Sequence, residues 1–116
     1  MNLRTYVAPC DRYTLLLVHG EIDLTTATAL REELVRLVDA DRLPVLVDMN
    51  AVTFFDSTGL STLVAAHRHA AERGVAFALV ALPDRVRLIF EITCVDKLFA
   101  IYDHLSDAVR ELAPAP

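Results

Sequence analysis

The chain lacks a long apolar run, although hydrophobic residues make up 54% of its 116 residues. A membrane-spanning helix needs about 20 consecutive apolar residues, whereas the longest run here, Val75 to Leu82, has the length of a strand. The first residues also lack the apolar core of a signal peptide. So high a hydrophobic content excludes a disordered chain. We therefore expect one globular domain in the cytoplasm, with no membrane partner.

Basic residues are scarce, which disfavours a nucleic-acid partner. The formal net charge is −5 and Lys97 is the only lysine, whereas proteins that bind nucleic acids in bulk present a basic surface.

Cys10 and Cys94 have no metal-ligand spacing and are expected to be reduced thiols in a cytosolic setting. The four histidines also lack acidic or cysteine partners at ligand spacing. We predict no metal site and no cofactor.

Motifs for nucleotide binding and for catalysis are also missing. The chain contains neither Gly-x-x-x-x-Gly-Lys nor Gly-x-Gly-x-x-Gly, so the sequence predicts no phosphate-binding loop. A catalytic triad would need a distant histidine to converge on a serine, and no pattern in the chain indicates this. We assign no catalytic residue and do not expect an enzyme. An enzyme or nucleotide-binding protein that uses Ser57 or Asp56 chemically is the alternative from another class.

Patterns typical of strands and helices alternate along the chain. Two strands, predicted over Tyr6 to Ala8 and Tyr13 to His19, form an antiparallel hairpin. Gly20-Glu21-Ile22-Asp23 is expected to leave the second strand. Three further strands are predicted over Val45 to Met49, Val75 to Ala81 and Phe99 to Tyr102. Helices with apolar residues three and four apart are expected to start near Asp23 to Thr26, Asp56 to Gly59, Pro83 and Asp103. This alternation predicts a single α/β domain with a mixed, mostly parallel sheet of four to five strands, the first antiparallel at an edge, and about four helices.

The most informative stretch runs from Val45 to Gly74, where a buried strand leads into a helix. Between the two lies Asp56-Ser57-Thr58-Gly59, and small polar side chains here can accept hydrogen bonds from the free N–H groups of the first helical turn. Gly59 costs up to about 1 kcal/mol relative to alanine inside a helix, which indicates that another group approaches the backbone closely. On chemistry alone a well-capped helix is the more common interpretation, and a site around the Ser57 hydroxyl is the alternative.

The same residues suggest a family. Phe55-Asp56-Ser57-Thr58-Gly59-Leu60, behind a strand that carries Asp48, closely resembles the phosphorylation motif of the SpoIIAA-like anti-sigma factor antagonists of the STAS domain family. The resemblance covers nearly the whole chain and implies a STAS domain over residues 1–112, with a frayed C-terminal tail over residues 113–116. The family also carries a segment similar to Gly20-Glu21-Ile22-Asp23, in a loop that lies beside the phosphorylated serine.

The resemblance implies a regulatory binding module. Its unphosphorylated form would bind an anti-sigma factor that is also a serine kinase, and so release the sigma factor. The kinase, which supplies the ATP and magnesium, would end the complex by phosphorylating Ser57, and a PP2C-type phosphatase would reset it. The implied partner-binding residues are Asp23, Thr25, Thr26, Asp56, Ser57, Thr58 and Gly59. Charge reversal at Asp23 is expected to weaken partner binding with little change in stability. Within the family, a STAS subunit of another regulatory or transport complex is the alternative.

One segment departs from the family pattern. Family members often have Thr-Gly-Leu-Asp after the third helix, where this chain has Thr93-Cys94-Val95-Asp96. If the turn needs a positive φ angle at its second residue, Cys94 is strained. Because free cysteines are usually buried and inert, a redox role for Cys94 is not favoured.

Overall fold

The computed structural model describes residues 2–115 and contains one mixed sheet with four helices. The strands are β1 (Leu3–Pro9), β2 (Thr14–Ile22), β3 (Val45–Phe55), β4 (Phe77–Val80) and β5 (Ala100–Tyr102). The helices are α1 (Ala27–Asp41), α2 (Ser57–Glu72), α3 (Asp84–Ile92) and α4 (Leu105–Leu112). The predicted α/β fold is confirmed. None of the helices described is long and apolar enough to span a membrane.

The five strands are ordered β1-β2-β3-β4-β5 across the sheet. β1 pairs with β2 in the antiparallel sense, and every other pair is parallel. The predicted antiparallel edge strand is therefore confirmed. In β2 and β3 the register pairs Ile22 with Phe55, so both strands end at the same edge of the sheet. Asp23 and Asp56, which directly follow these residues, start two neighbouring loops.

Apolar side chains cover the two faces of the sheet unequally. The larger core joins the sheet to α1, α2 and α3 through fully buried residues such as Leu16, Leu34, Leu63 and Phe90. A smaller cluster covers the opposite face and joins the sheet to α4, with the members Leu46, Ala78, Val80 and Ala108. All four residues of β4 are buried, which confirms that its continuous apolar run packs on both faces.

Several predicted boundaries are wrong. β3 was predicted to end at Met49 but continues to Phe55, because it pairs with β2 up to that residue. Gly20 to Ile22 remain in β2 and do not yet leave it, because β2 pairs with the equally extended β3. Asp103 does not cap α4: the N-cap is His104, and the Asp103 carboxylate accepts a hydrogen bond from Arg87 at 2.6 Å. The predicted frayed tail is attached at its start, since Ala113 is buried and its carbonyl accepts a hydrogen bond from Arg12 at 2.9 Å. Pro116, also placed in the tail, lies outside the described residues.

The turn after α3 has a positive φ angle at its second residue, and this is the condition under which strain at Cys94 was expected. Cys94 has a φ angle of 61°, in the left-handed region where a Cβ atom is unfavourable. Cys94 and Cys10 are both exposed and unpaired. The usual burial of free cysteines, which was the reason for disfavouring a redox role, does not apply to Cys94, because the turn faces solvent.

Candidate functional site

The site lies at the sheet edge where β2 and β3 end. The loop from Asp23 to Thr26 leads from β2 into α1, and Asp56 leads from β3 into α2. Because Ile22 and Phe55 pair directly, the structure brings the two predicted segments together. All the residues that the resemblance implies for partner binding belong to these two segments.

The N-terminus of α2 is capped by Asp56. Its Oδ1 atom accepts hydrogen bonds from the backbone N–H groups of Thr58 at 3.0 Å and Gly59 at 3.2 Å. Ser57 is the first residue of the helix and is exposed. Its carbonyl accepts a hydrogen bond from the Ser61 hydroxyl at 3.0 Å. The prediction that Ser57 lies within one residue of the N-cap is confirmed.

Gly59 is buried where the first turn of α2 touches the end of the sheet. A Cβ atom at this position would lie 2.8 Å from Ile22 Cγ2 and 2.8 Å from Phe55 Cε1. Such distances are too short for a side chain, so α2 can approach the two strand ends only with glycine here. The inferred close approach is confirmed, and the approaching groups are the protein's own side chains. This packing fixes the position of Ser57, two residues earlier.

The side chain of Ser57 lies at the N-terminus of a helix, where a negatively charged group is favoured. The free N–H groups and the dipole of a helix N-terminus favour a negative charge. The Asp56 carboxylate already occupies part of this site through its bonds to Thr58 and Gly59. A phosphate on the exposed Ser57 side chain would extend toward solvent, where repulsion by Asp56 is screened.

Asp23 differs most from its prediction, because its side chain is 6% exposed. Its Oδ1 atom accepts hydrogen bonds from the Thr25 backbone N–H at 2.8 Å, the Thr25 hydroxyl at 2.7 Å and the Thr26 N–H at 3.2 Å. The hydroxyl of Thr25 is the main cause that holds the pKa of Asp23 below its ordinary value. Charge reversal at Asp23 would break this network. The expectation that such a variant keeps its stability is therefore wrong.

Leu24 is the exposed residue that the sequence analysis missed in this loop. Its side chain is 79% exposed, the highest value among the large hydrophobic residues described. Its neighbour Asp23 is turned inward by the hydrogen bonds to Thr25 and Thr26, and this leaves Leu24 directed to solvent. The available signal was an apolar residue in an otherwise polar segment between a strand and a helix.

A small groove separates α1 from α2 beside Ser57. It has a volume of about 180 Å³, and its lining includes Thr28 and Arg31 of α1 and Thr58 and Ser61 of α2. Arg31 brings a cation to this groove. Arg31 could not be predicted as a site residue, because nothing in its local pattern distinguishes it from other helix-surface arginines.

The histidines serve packing and surface contacts. His69 Nε2 lies 2.8 Å from Asp39 Oδ1 and joins α2 to α1. His67 packs between Phe77 and Phe99, with ring centroids at 6.3 Å and 5.0 Å. Within residues 2–115, no three histidine, cysteine or acidic side chains are grouped so that they could hold a metal ion.

Known proteins of the same architecture are found by sequence and by structure. The family model described as "STAS domain" matches residues 8–108. RsfB, the anti-sigma-F factor antagonist of Mycobacterium tuberculosis, is 33% identical over 108 residues, which cover 93% of this chain and 88% of RsfB. The crystal structure of an anti-sigma factor antagonist from Mycobacterium paratuberculosis superposes with a TM-score of 0.85 at 33% identity, covering 96% of this chain and 94% of that one.

A more distant structure shares the fold alone. SpoIIAA in its unphosphorylated form superposes with a TM-score of 0.77 at 13% identity, covering 92% of this chain and 94% of SpoIIAA. The Bacillus protein has also been solved in a phosphorylated form, with a TM-score of 0.71 and a coverage of 91% and 96%. RsfB and the protein from Mycobacterium paratuberculosis are named for the factor that they antagonise and not for a reaction. The family model and the 33% identity to RsfB over most of both chains show that this chain belongs to the STAS domain family, among its anti-sigma factor antagonists.

Proposed function

We propose that this anti-sigma factor antagonist is a partner switch controlled by phosphorylation of Ser57. The observation that carries the proposal is the exposed position of Ser57 at the first residue of α2, next to the loop that begins at Asp23. Without phosphate, the protein binds an anti-sigma factor in the cytoplasm and frees the sigma factor. The bound anti-sigma factor is also the serine kinase that modifies Ser57, and a PP2C-type phosphatase removes the phosphate.

The proposed partner surface combines the exposed parts of the two loops with the groove between α1 and α2. Leu24 supplies an apolar anchor, since it is exposed and next to the ordered Thr25. Thr58 and Arg31 line the groove and supply polar contacts. Asp23 and Thr26 act from within the loop by holding its shape, and Gly59 acts by allowing α2 to approach the sheet. All of these residues belong to the two loops, to the first turn of α2 or to the groove between α1 and α2.

Phosphate on Ser57 should act on the complex and not on the fold. It adds a charge of about −1.5 to −2 at neutral pH, and the N-terminus of α2 favours that charge. An interface over Ser57 would bury the phosphate, and a buried charge without a matching cation costs several kcal/mol. Since each ~1.4 kcal/mol is a factor of ten in affinity, the partner is lost while the free protein keeps its structure.

The test is a pull-down from the native organism with wild type, Ser57→Asp and Ser106→Asp, read by mass spectrometry for partner and phosphosite. Ser106 is a matched control because it is exposed, lies in the first turn of α4 and lines a groove with Arg12 and Tyr13, before the start of β2 and not at its end. We expect an anti-sigma factor kinase with wild type and with Ser106→Asp, and its loss with Ser57→Asp. A further arm, Leu24→Ala, should weaken capture of the same partner at unchanged thermal stability.

Three results would contradict the proposal. Undiminished affinity of Ser57→Asp and of the phosphorylated protein would exclude the switch. Capture of a different assembly, such as a transporter subunit, would favour a STAS subunit of another complex. Backbone NMR shifts of the phosphorylated protein should change only near α2 and the Asp23 loop, and widespread changes would exclude a local mechanism.

A further inference from the structure

The outer edge of β1 is an open hydrogen-bonding edge. The Asn2 carbonyl accepts a hydrogen bond from Glu21, and the Cys10 N–H donates one to Tyr13, so the even-numbered residues of this segment bond to β2. Backbone groups alternate in direction along a strand. The odd-numbered residues Leu3, Thr5 and Val7 therefore direct their N–H and C=O groups away from the sheet.

The space next to this edge is open. A groove of about 450 Å³ lies between β1 and α1, lined by Leu3 and Thr5 on the strand and by Ala29, Glu33 and Arg36 on the helix, among others. Val7 is 44% exposed. Proteins usually protect such an edge with charged side chains, proline, a bulge or a covering segment. Here the only proline of β1 is its last residue, Pro9, and its single charged residue is Arg4.

We propose that this edge pairs with β1 of a second copy of the chain, which would join the two sheets across a twofold axis at Thr5. In this antiparallel register Leu3 faces Val7 of the second copy, and Thr5 faces Thr5. Each such pair can exchange two hydrogen bonds, because both members direct their backbone groups outward. The interface is the same on both copies, as a twofold dimer requires.

The neighbouring registers are less favourable. A shift of two residues in one direction places Arg4 opposite Arg4 of the second copy, and like charges in a cross-strand pair are destabilising. A shift in the other direction places Leu3 opposite Pro9, which has no N–H group to donate. Only the register centred on Thr5 keeps Leu3, Thr5 and Val7 paired without either penalty.

Arg4 and Tyr6, whose side chains lie on the opposite face of β1 from those of Leu3 and Thr5, support the same register. It places Arg4 opposite Tyr6 of the second copy, and a guanidinium over a tyrosine ring is attractive. The Tyr6 ring is already held by an edge contact with His19, at a centroid distance of 5.3 Å. By symmetry the dimer would contain this arginine–tyrosine pair twice.

The proposed dimer leaves the groove beside Ser57 free. The groove along β1 is lined by Ala29, Glu33 and Arg36 of α1 and also by Thr25 and Thr26 of the preceding loop, whereas the groove beside α2 is lined by Thr28 and Arg31 of α1. The two therefore lie on different sides of α1. Dimerisation and partner switching can be tested separately.

The first test is sedimentation equilibrium of the whole chain over increasing concentration. Wild type should shift from the monomer mass of 12.8 kDa toward twice that mass. Val7→Pro removes an outward N–H that β2 does not use, and proline is tolerated at such an edge position. It should weaken self-association by about tenfold or more, whereas Val7→Ala, which keeps the N–H, should retain it.

A monomer at every concentration would overturn the proposal, and so would a dimer of undiminished strength in a folded Val7→Pro variant. The register is tested by disulfide formation in a background with Cys10→Ser and Cys94→Gly. A chain with Arg4→Cys should cross-link to a chain with Tyr6→Cys, since directly opposed residues lie within disulfide reach. Cross-links formed only between two Arg4→Cys chains or two Tyr6→Cys chains would exclude the Thr5 register. This second test does not depend on the folding of Val7→Pro.

Discussion

At the scale of single residues, the backbone geometry of the turn determines the strain at Cys94. The φ angle of 61° places its Cβ atom close to the following carbonyl. Neighbouring bonds nevertheless hold the turn, since the Cys94 N–H donates to the Glu91 carbonyl at 3.1 Å and the Val95 N–H donates to Phe90 at 3.1 Å. The turn is thus imposed by the end of α3, and the residue at position 94 bears the strain.

Cys94→Gly should therefore stabilise the protein by about 0.5–1 kcal/mol, because glycine adopts positive φ without a steric cost. The measurement is the free energy of unfolding in urea under reducing conditions. Cys94→Ala removes the thiol but keeps the Cβ atom, so it should show no such gain. Equal stabilisation by both variants would mean that the thiol, and not the backbone, causes the strain.

At the scale of elements, the N-terminus of α2 depends on one side chain. Asp56 satisfies two N–H groups of the first turn, those of Thr58 and Gly59. β3 continues beyond its last pairing with β4 at Asp48, and this extension carries Asp56 to the edge where β2 also ends. Strand length and helix capping together determine where Ser57 is presented.

Replacing Asp56 should show how much the stability of the protein depends on the N-cap of α2. Asp56→Ala should lower the free energy of unfolding by about 1 kcal/mol, within the range of 0.5–2 kcal/mol found for lost caps. Asp56→Asn keeps the accepting oxygen and should lose much less. The comparison is made by urea unfolding at neutral pH. Equal losses in the two variants would show that the negative charge, and not the hydrogen bonds, provides the stabilisation.

At the scale of the whole molecule, His67 connects α2 with β4 and with the segment before β5. It contacts Phe77 and Phe99, and Phe99 in turn packs on Phe90 of α3 at 5.4 Å. Its Nδ1 atom is buried and has no hydrogen-bond partner within residues 2–115. Burial lowers the pKa of His67 below the ordinary value, because the charged ring would lose its hydration.

This lowered pKa predicts a pH-dependent stability of the whole domain. The unfolded chain takes up the proton first, so the contribution of His67 is present above about pH 6.5 and is lost as the pH falls toward the folded-state pKa. Urea unfolding between pH 7.5 and 5.5 should show a loss of stability that is smaller in His67→Gln. His104→Gln, which alters an exposed histidine, should retain the wild-type loss. An unchanged loss in His67→Gln would exclude this origin.

The sequence alone determined the order of the elements and the chemistry near Ser57. Periodicity, caps and breakers act over a few residues, so the strand before Asp56 and the cap itself could be predicted. The resemblance added the neighbouring Asp23 loop and the glycine pattern that pointed to a positive φ at position 94. The ends of β2, β3 and β4 were predicted less well, and the end of β3 moved from Met49 to Phe55. A strand ends where its neighbour stops pairing, and that neighbour is distant in the chain.

Tertiary structure alone decided which side chains face solvent. Asp23 is a charged residue in a loop and was expected outside, yet three hydrogen bonds from Thr25 and Thr26 turn it inward and leave Leu24 exposed. The groups that exclude a side chain at Gly59 come from Ile22 and Phe55 at two strand ends. The open edge of β1 likewise follows from its place at the border of the sheet. The physical reason is common to all three: burial and edge exposure depend on contacts between residues far apart in sequence, and local patterns contain no record of those contacts.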